Sequence, residues 1–182
     1  MATRLTATNR LYFWIALLTA FSLAFSYGLA CAAPLAAFAA IAALTLSPRD
    51  GIILVVAVWL ANQAAGYVLL DYPDTANSYA LGAVMVMAAL LALATARIAA
   101  ARLSQQGLVM AWSGAFLAAF AVYEVANFIP AVAGLGGVET FAPAIMGEIL
   151  LLNTMAFAGL VVLHRVGQMA GLVDHAAGAP AR

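Results

Sequence analysis

Every arginine in this chain falls at one set of ends of its apolar stretches. The seven are Arg4, Arg10, Arg49, Arg97, Arg102, Arg165 and Arg182, and lysine is absent. If the chain is threaded six times through a bilayer, all seven emerge on one side. Five of the acids, Asp71, Asp74, Glu124, Glu139 and Glu148, lie on or toward the other. Arginine and lysine in short loops stay on the cytoplasmic side of a membrane, which orients the whole bundle. The pattern therefore predicts a six-span protein with both termini cytoplasmic. It also predicts that any polar chemistry faces away from the cytoplasm.

The composition says why the solvent must be lipid. Of 182 residues, 67% are hydrophobic and 8% are charged. A soluble domain carries about 25% charged residues, and this chain lacks the polar surface to cover a globule in water. Net charge is zero and no basic patch occurs, which argues against a nucleic-acid partner. The single cysteine, Cys31, excludes an internal disulfide and any multi-cysteine metal site. The first apolar segment runs directly into a second with no polar stretch after a cleavage site. It is expected to be retained rather than removed as a signal peptide.

A hydrocarbon core about 30 Å thick takes roughly 20 helical residues. The first apolar run, residues 11–46, is too long for one pass and is expected to split near 28–34 into two short spans. Ser47-Pro48-Arg49-Asp50-Gly51 breaks the chain with proline, glycine and charge. Further spans are expected over 51–70, 78–98 and 108–129, the last stopped by Pro130. A glycine-rich connection, 134–141, leads to a sixth span that starts near Pro143, a residue suited to a first helical turn, and ends at His164-Arg165. The expected fold is an all-α polytopic membrane bundle of six transmembrane helices. It forms one domain over 1–170, with a short cytoplasmic tail over 171–182. Residues Tyr12, Phe13 and Trp14 suit the inner interface, and Tyr67 and Tyr72 the outer one.

Polar side chains inside the spans are the candidates for function, because each is costly there and needs a partner or a cavity. In the third span, helical spacing puts Trp59, Asn62 and Gly66 on one face, with Gln63 and Tyr67 beside them. Two adjacent amides beside an aromatic and a glycine fit a ligand wall. They fit equally well as interhelical glue, since amides bond across helices and glycine permits close approach. In the fifth span, Tyr123, Glu124 and Asn127 cluster, and Glu124 and Asn127 share a face. Glu148 lies at similar depth in the sixth, while Asn153 is deeper and points roughly 140° away from it. These residues predict an outward-opening polar cavity lined by Asn62, Gln63, Glu124, Asn127 and Glu148. The bland alternative leaves both glutamates solvated at the headgroups.

Other features carry less. Cys31, at the outer turn, is a weak candidate for a soft metal ligand and more often a small buried residue. His164 suits a helix C-terminus at the inner interface. His175 lies in the tail, and two separated histidines make no metal site. The alanine-rich run 30–43 offers small-residue packing surfaces. No nucleophile–base pair, metal cluster or phosphate-binding loop is visible, so no enzyme and no resident cofactor are expected.

Six short spans with an outward polar pocket resemble the substrate-binding S components of energy-coupling-factor vitamin transporters. The stretches Leu46-Ser47-Pro48-Arg49-Asp50, Trp59-Leu60-Ala61-Asn62-Gln63-Ala64-Ala65-Gly66-Tyr67 and Asp71-Tyr72-Pro73 resemble more particularly the solitary S-component-like proteins linked to cobalamin uptake. The resemblance implies a bacterial inner-membrane protein that captures a vitamin from outside and releases it by toppling of the bundle. Energising transporter subunits are possible partners, and cobalamin would be cargo rather than cofactor. Some cobalamin-binding members use a cysteine to ligate cobalt, and Cys31 is not matched to that position. On this reading Asn62, Gln63 and Asn127 pair with ligand amides, and Trp59, Tyr67 and Tyr123 supply apolar contact. Two readings compete with it: an accessory subunit of a larger membrane complex, and a small metal-ion permease using Glu124 and Glu148.

Overall fold

The computed structural model describes residues 6–28 and 33–173. Arg4, Cys31, His175 and Arg182 lie outside the described residues, so the candidate ligand Cys31 has no structural account here. All regular structure among the described residues is helical. The helices are α1 (Ala7–Gly28), α2 (Leu35–Thr45), α3 (Pro48–Leu69), α4 (Ala76–Leu103), α5 (Leu108–Pro130) and α6 (Pro143–Met169).

Local chemistry sets most of the boundaries. Ser47 caps α3 by accepting from the Asp50 amide at 3.2 Å, and Pro48 fills the first turn, where a missing N–H is harmless. Thr75 caps α4 in the same way through the Ser78 amide, also at 3.2 Å. Pro143 opens α6. Pro130 ends α5 where its position predicts, and a wider π turn over Ala131–Leu135 continues the helical path beyond it. The Ala131 amide reaches the carbonyls of both Asn127 and Phe128 across that turn. The path then ends at Gly134, whose φ of 109° is open to glycine and strained for other residues. A short 3-10 turn, Val138–Phe141, completes the connection to α6.

Helices α3 to α6 are long and apolar enough to cross a membrane. Their outer faces are apolar: Val68, Met87, Leu117, Val125, Leu151 and Val162 are all exposed. So wide an apolar exterior belongs in hydrocarbon, where it needs no cover. α1 has 22 residues, about one bilayer's length.

α2 departs from the expectation of six full spans. It has only 11 residues, about 16 Å of helix, half the thickness of a hydrocarbon core. It is also the most buried element. Leu35 to Ala42 are each at most 1% exposed, with α3, α4, α5 and α6 packed around them. Alanine dominates this helix, and its small side chains let four neighbours approach its backbone.

The arginines gather as their spacing predicts. Arg10, Arg49 and Arg97 line one cavity of about 1130 Å³, together with the start of α3 and the end of α4. Arg97 donates to the carbonyls of Leu46 and Ser47, at 3.1 and 2.8 Å, and so closes the C-terminus of α2. Arg10 donates to the Gly171 carbonyl at 2.8 Å, tying the start of α1 to the residues after α6. Both ends of the described chain therefore lie at this arginine end. The loop with Asp71 and Asp74 and the connection with Glu139 lie at the opposite, acid end.

Candidate functional site

Half a helix in the centre of a bundle leaves the other half of the axis to be filled by something else. A cavity of about 440 Å³ opens there. Phe25 of α1, Ala33 and Pro34 before α2, Leu81 and Met85 of α4, and Tyr123, Glu124 and Asn127 of α5 line it. Ile145, Ile149, Leu152 and Asn153 of α6 complete the wall, and Gly136, Gly137, Thr140 and Phe141 of the connection close it toward the acid end. Phe141 meets Phe128 edge-on with centroids 5.0 Å apart. The Asn77 side chain donates to the Leu135 carbonyl at 2.9 Å, so the start of α4 holds the connection in place.

The expected polar wall separates into two groups. Tyr123, Glu124 and Asn127 line this cavity together. Trp59, Asn62, Gln63 and Tyr67 do not, and neighbouring helices take up polar atoms of Trp59, Asn62 and Tyr67. Asn62 donates to the Ser22 hydroxyl at 3.0 Å, and its carbonyl oxygen accepts from Ser26, both on α1. The Trp59 indole N–H donates to the Gly82 carbonyl of α4 at 2.8 Å, and Gln63 lies against the same glycine. The Tyr67 hydroxyl bonds Ser78 at 2.9 Å, and its ring stacks on Tyr79 with centroids 4.9 Å apart. This is the interhelical glue that the spacing also allowed. Glu148 is exposed and is not among the lining residues. It turns outward while Ile145, Ile149 and Leu152 of the same helix turn in.

Asn153 is the residue that sequence reasoning left out of the site. It is 6% exposed and joins the cavity wall to the half-helix. Its carbonyl oxygen accepts from the Ala37 amide at 3.3 Å, and its NH₂ donates to the Ile149 carbonyl at 3.0 Å. An early amide of α2 has no partner within its own helix, and Asn153 supplies the acceptor from α6. The available signal was its depth, since an amide in mid-membrane implies a buried partner.

His164 lies toward the C-terminal end of α6. It is buried between Trp14 and Trp112, with ring centroids 6.3 Å from each. Gly167, one turn on, makes room for this packing, because a Cβ there would stand 2.8 Å from the Trp14 ring. No cluster of metal-ligating side chains occurs among the described residues.

The bonding of Asn62 gives a direct expectation. Asn62→Leu removes two bonds between α1 and α3, each worth about 0.6 kcal/mol within membranes. The folded state should lose about 1 kcal/mol in reversible unfolding in detergent. Solute affinity should stay within about twofold, because the residue is not on the cavity wall. A selective loss of affinity with unchanged stability would return Asn62 to the binding site.

What the cavity can do chemically follows from its content. It combines a large apolar wall with one carboxylate, one amide with a spare oxygen, and one phenol, groups able to hold and orient a small molecule. Comparison of the chain with protein-family models, with curated proteins and with solved structures finds no match.

Proposed function

We propose that this protein captures a small organic solute at its acid end and carries it across a bacterial inner membrane. The acid end faces outward and both termini face the cytoplasm. The chain makes six passes in this reading, the second by way of the half-length helix α2. The S-component resemblance and the one-sided arginines support the orientation. The carrying observation is the cavity of about 440 Å³ above α2, within the range of pockets that hold small ligands. Its place at mid-bundle, over an interrupted helical axis, is where transporters commonly hold their cargo.

The cavity also bears on the cargo. A compact, largely apolar molecule with one polar group fits inside it. A corrinoid is larger than this space, so cobalamin binding requires the connection over Ala131–Leu135 and Val138–Phe141 to swing away. Energising subunits remain part of the proposal, and the exposed apolar faces of α3 to α6 are available to lipid or to such partners.

Purified protein should carry a co-purified small molecule detectable by mass spectrometry, or bind one from a vitamin panel at micromolar concentration. The panel includes cobalamin and cobinamide. Uptake by cells expressing the chain should follow the same ligand. A protein that is empty, binds no panel member and purifies only with another membrane protein would replace this function with that of an accessory subunit.

A further inference from the structure

Glu124 carries the only charge among the residues that line the acid-end cavity. Its carboxylate meets no arginine and accepts no hydrogen bond among the described residues. The neighbouring polar groups are uncharged and include oxygen acceptors free to face a cation. Asn127 gives its NH₂ to the Tyr123 carbonyl at 2.7 Å and keeps its carbonyl oxygen for the cavity. Asn153 uses both ends of its amide on Ala37 and Ile149. Thr140 donates its hydroxyl to the Gly137 carbonyl at 2.6 Å, which leaves oxygen lone pairs. The described arginines are placed elsewhere: Arg10, Arg49 and Arg97 line the opposite cavity, Arg102 stands on the last turn of α4, and Arg165 lies one turn before the end of α6. Asp71, Asp74, Glu139 and Glu148 bring further negative charge to the entrance end.

One feature pulls the other way. Pro34 puts the N-terminus of α2 on the cavity wall, and a helix N-terminus favours an anion. That end carries about half an elementary charge. Proline has no N–H to offer, and Asn153 already accepts from Ala37. The Glu124 carboxyl lies on the wall itself, whereas the helix end is a partial charge with its Ala37 amide already taken by Asn153.

We infer that the captured solute is an organic cation: an ammonium group on an apolar body. The inference rests on the solute-capture function. The ammonium sits between the Glu124 carboxylate and the Asn127 carbonyl oxygen. The body lies against Tyr123, Phe25 and Phe141, whose rings add attraction to a cation as well as apolar contact. The cavity disfavours a free anion, because Glu124 would face it with like charge and no cationic side chain is among the lining residues.

Three probes of one shape separate the charges: 4-phenylbutylamine, 4-phenylbutanol and 4-phenylbutyrate, titrated calorimetrically into the full chain in detergent or nanodiscs. The amine should bind about tenfold or more tighter than the alcohol, the usual advantage of a charge-assisted bond. The butyrate should bind weakest. Glu124→Gln should reduce the amine to the affinity of the alcohol and leave the alcohol within about twofold, which also shows that the variant is folded. Equal binding of amine and alcohol, preferred butyrate, or an amine affinity unchanged in Glu124→Gln overturns the cation and leaves solute capture standing. Absence of binding by all three up to millimolar concentration overturns both.

Discussion

Phe38→Ala should be among the most damaging single substitutions in this protein, with a loss of about 2 kcal/mol in unfolding free energy. Phe38 is fully buried in the half-helix that four others surround. In a water-soluble core such a change costs about 3–5 kcal/mol, as a transfer term plus a cavity term. Within a bilayer the transfer term shrinks, because lipid tails are as apolar as the core. The cavity term remains: roughly 100 Å³ of lost side chain at about 24 cal/mol per Å³. Leu151→Ala is the companion measurement. Leu151 is 58% exposed on the outer face of α6, where lipid fills any space, so its change should be near zero. Reversible unfolding of both variants in the same detergent tests the contrast. Equal effects would mean that α2 is not the packed centre.

Asn153→Leu should cost about as much by a different route. The leucine fits the space but offers no acceptor to the Ala37 amide. A buried donor left without a partner costs about 1–3 kcal/mol, and no water is at hand to replace the lost bond. The damage should be local first. Hydrogen exchange in the peptide spanning residues 33–41 should accelerate well before that in α4 or α5. Solute affinity should fall as well, because Asn153 stands on the cavity wall and steadies Pro34 beside it. Unchanged protection across residues 33–41 would show that Asn153 does not hold the half-helix.

What the sequence makes legible here follows from where polarity contrasts exist. Proline and the polar runs place the starts of α3 and α4 to within three residues of the expected 51 and 78, and the caps of Ser47 and Thr75 set them at Pro48 and Ala76. The arginines place the helix ends because water begins there. The half-length and central position of α2 leave no such mark. A stretch that is apolar on every side reads the same whether lipid or protein surrounds it, so the periodicity that reveals a buried face in water is silent. The polar residues show an intermediate case. Their depth says that Asn62, Glu124 and Asn127 need partners. It does not distinguish a serine on the next helix, which Asn62 has, from a cavity, which Glu124 and Asn127 have. That choice depends on pairings between residues 40 positions apart in the chain. Glu148 and Asn153 were separated by angle on one helix, but which of the two faces inward depends on where α6 rests against α2.

The brevity of α2 has a consequence for how the protein is made. A segment is released into the bilayer from the translocation channel on its own hydrophobic merit, and about 20 residues are needed. Eleven residues, most of them alanine, fall well short of that. α2 therefore depends on its neighbours, and α3, α4, α5 and α6 supply the packing that its length does not. All four of these helices follow it in the chain. The element that ends most deeply enclosed is thus synthesised second and enclosed last. Synthesis that halts before α6 would leave α2 without its Asn153 partner, a half-built bundle that membrane quality control can recognise by its one open side.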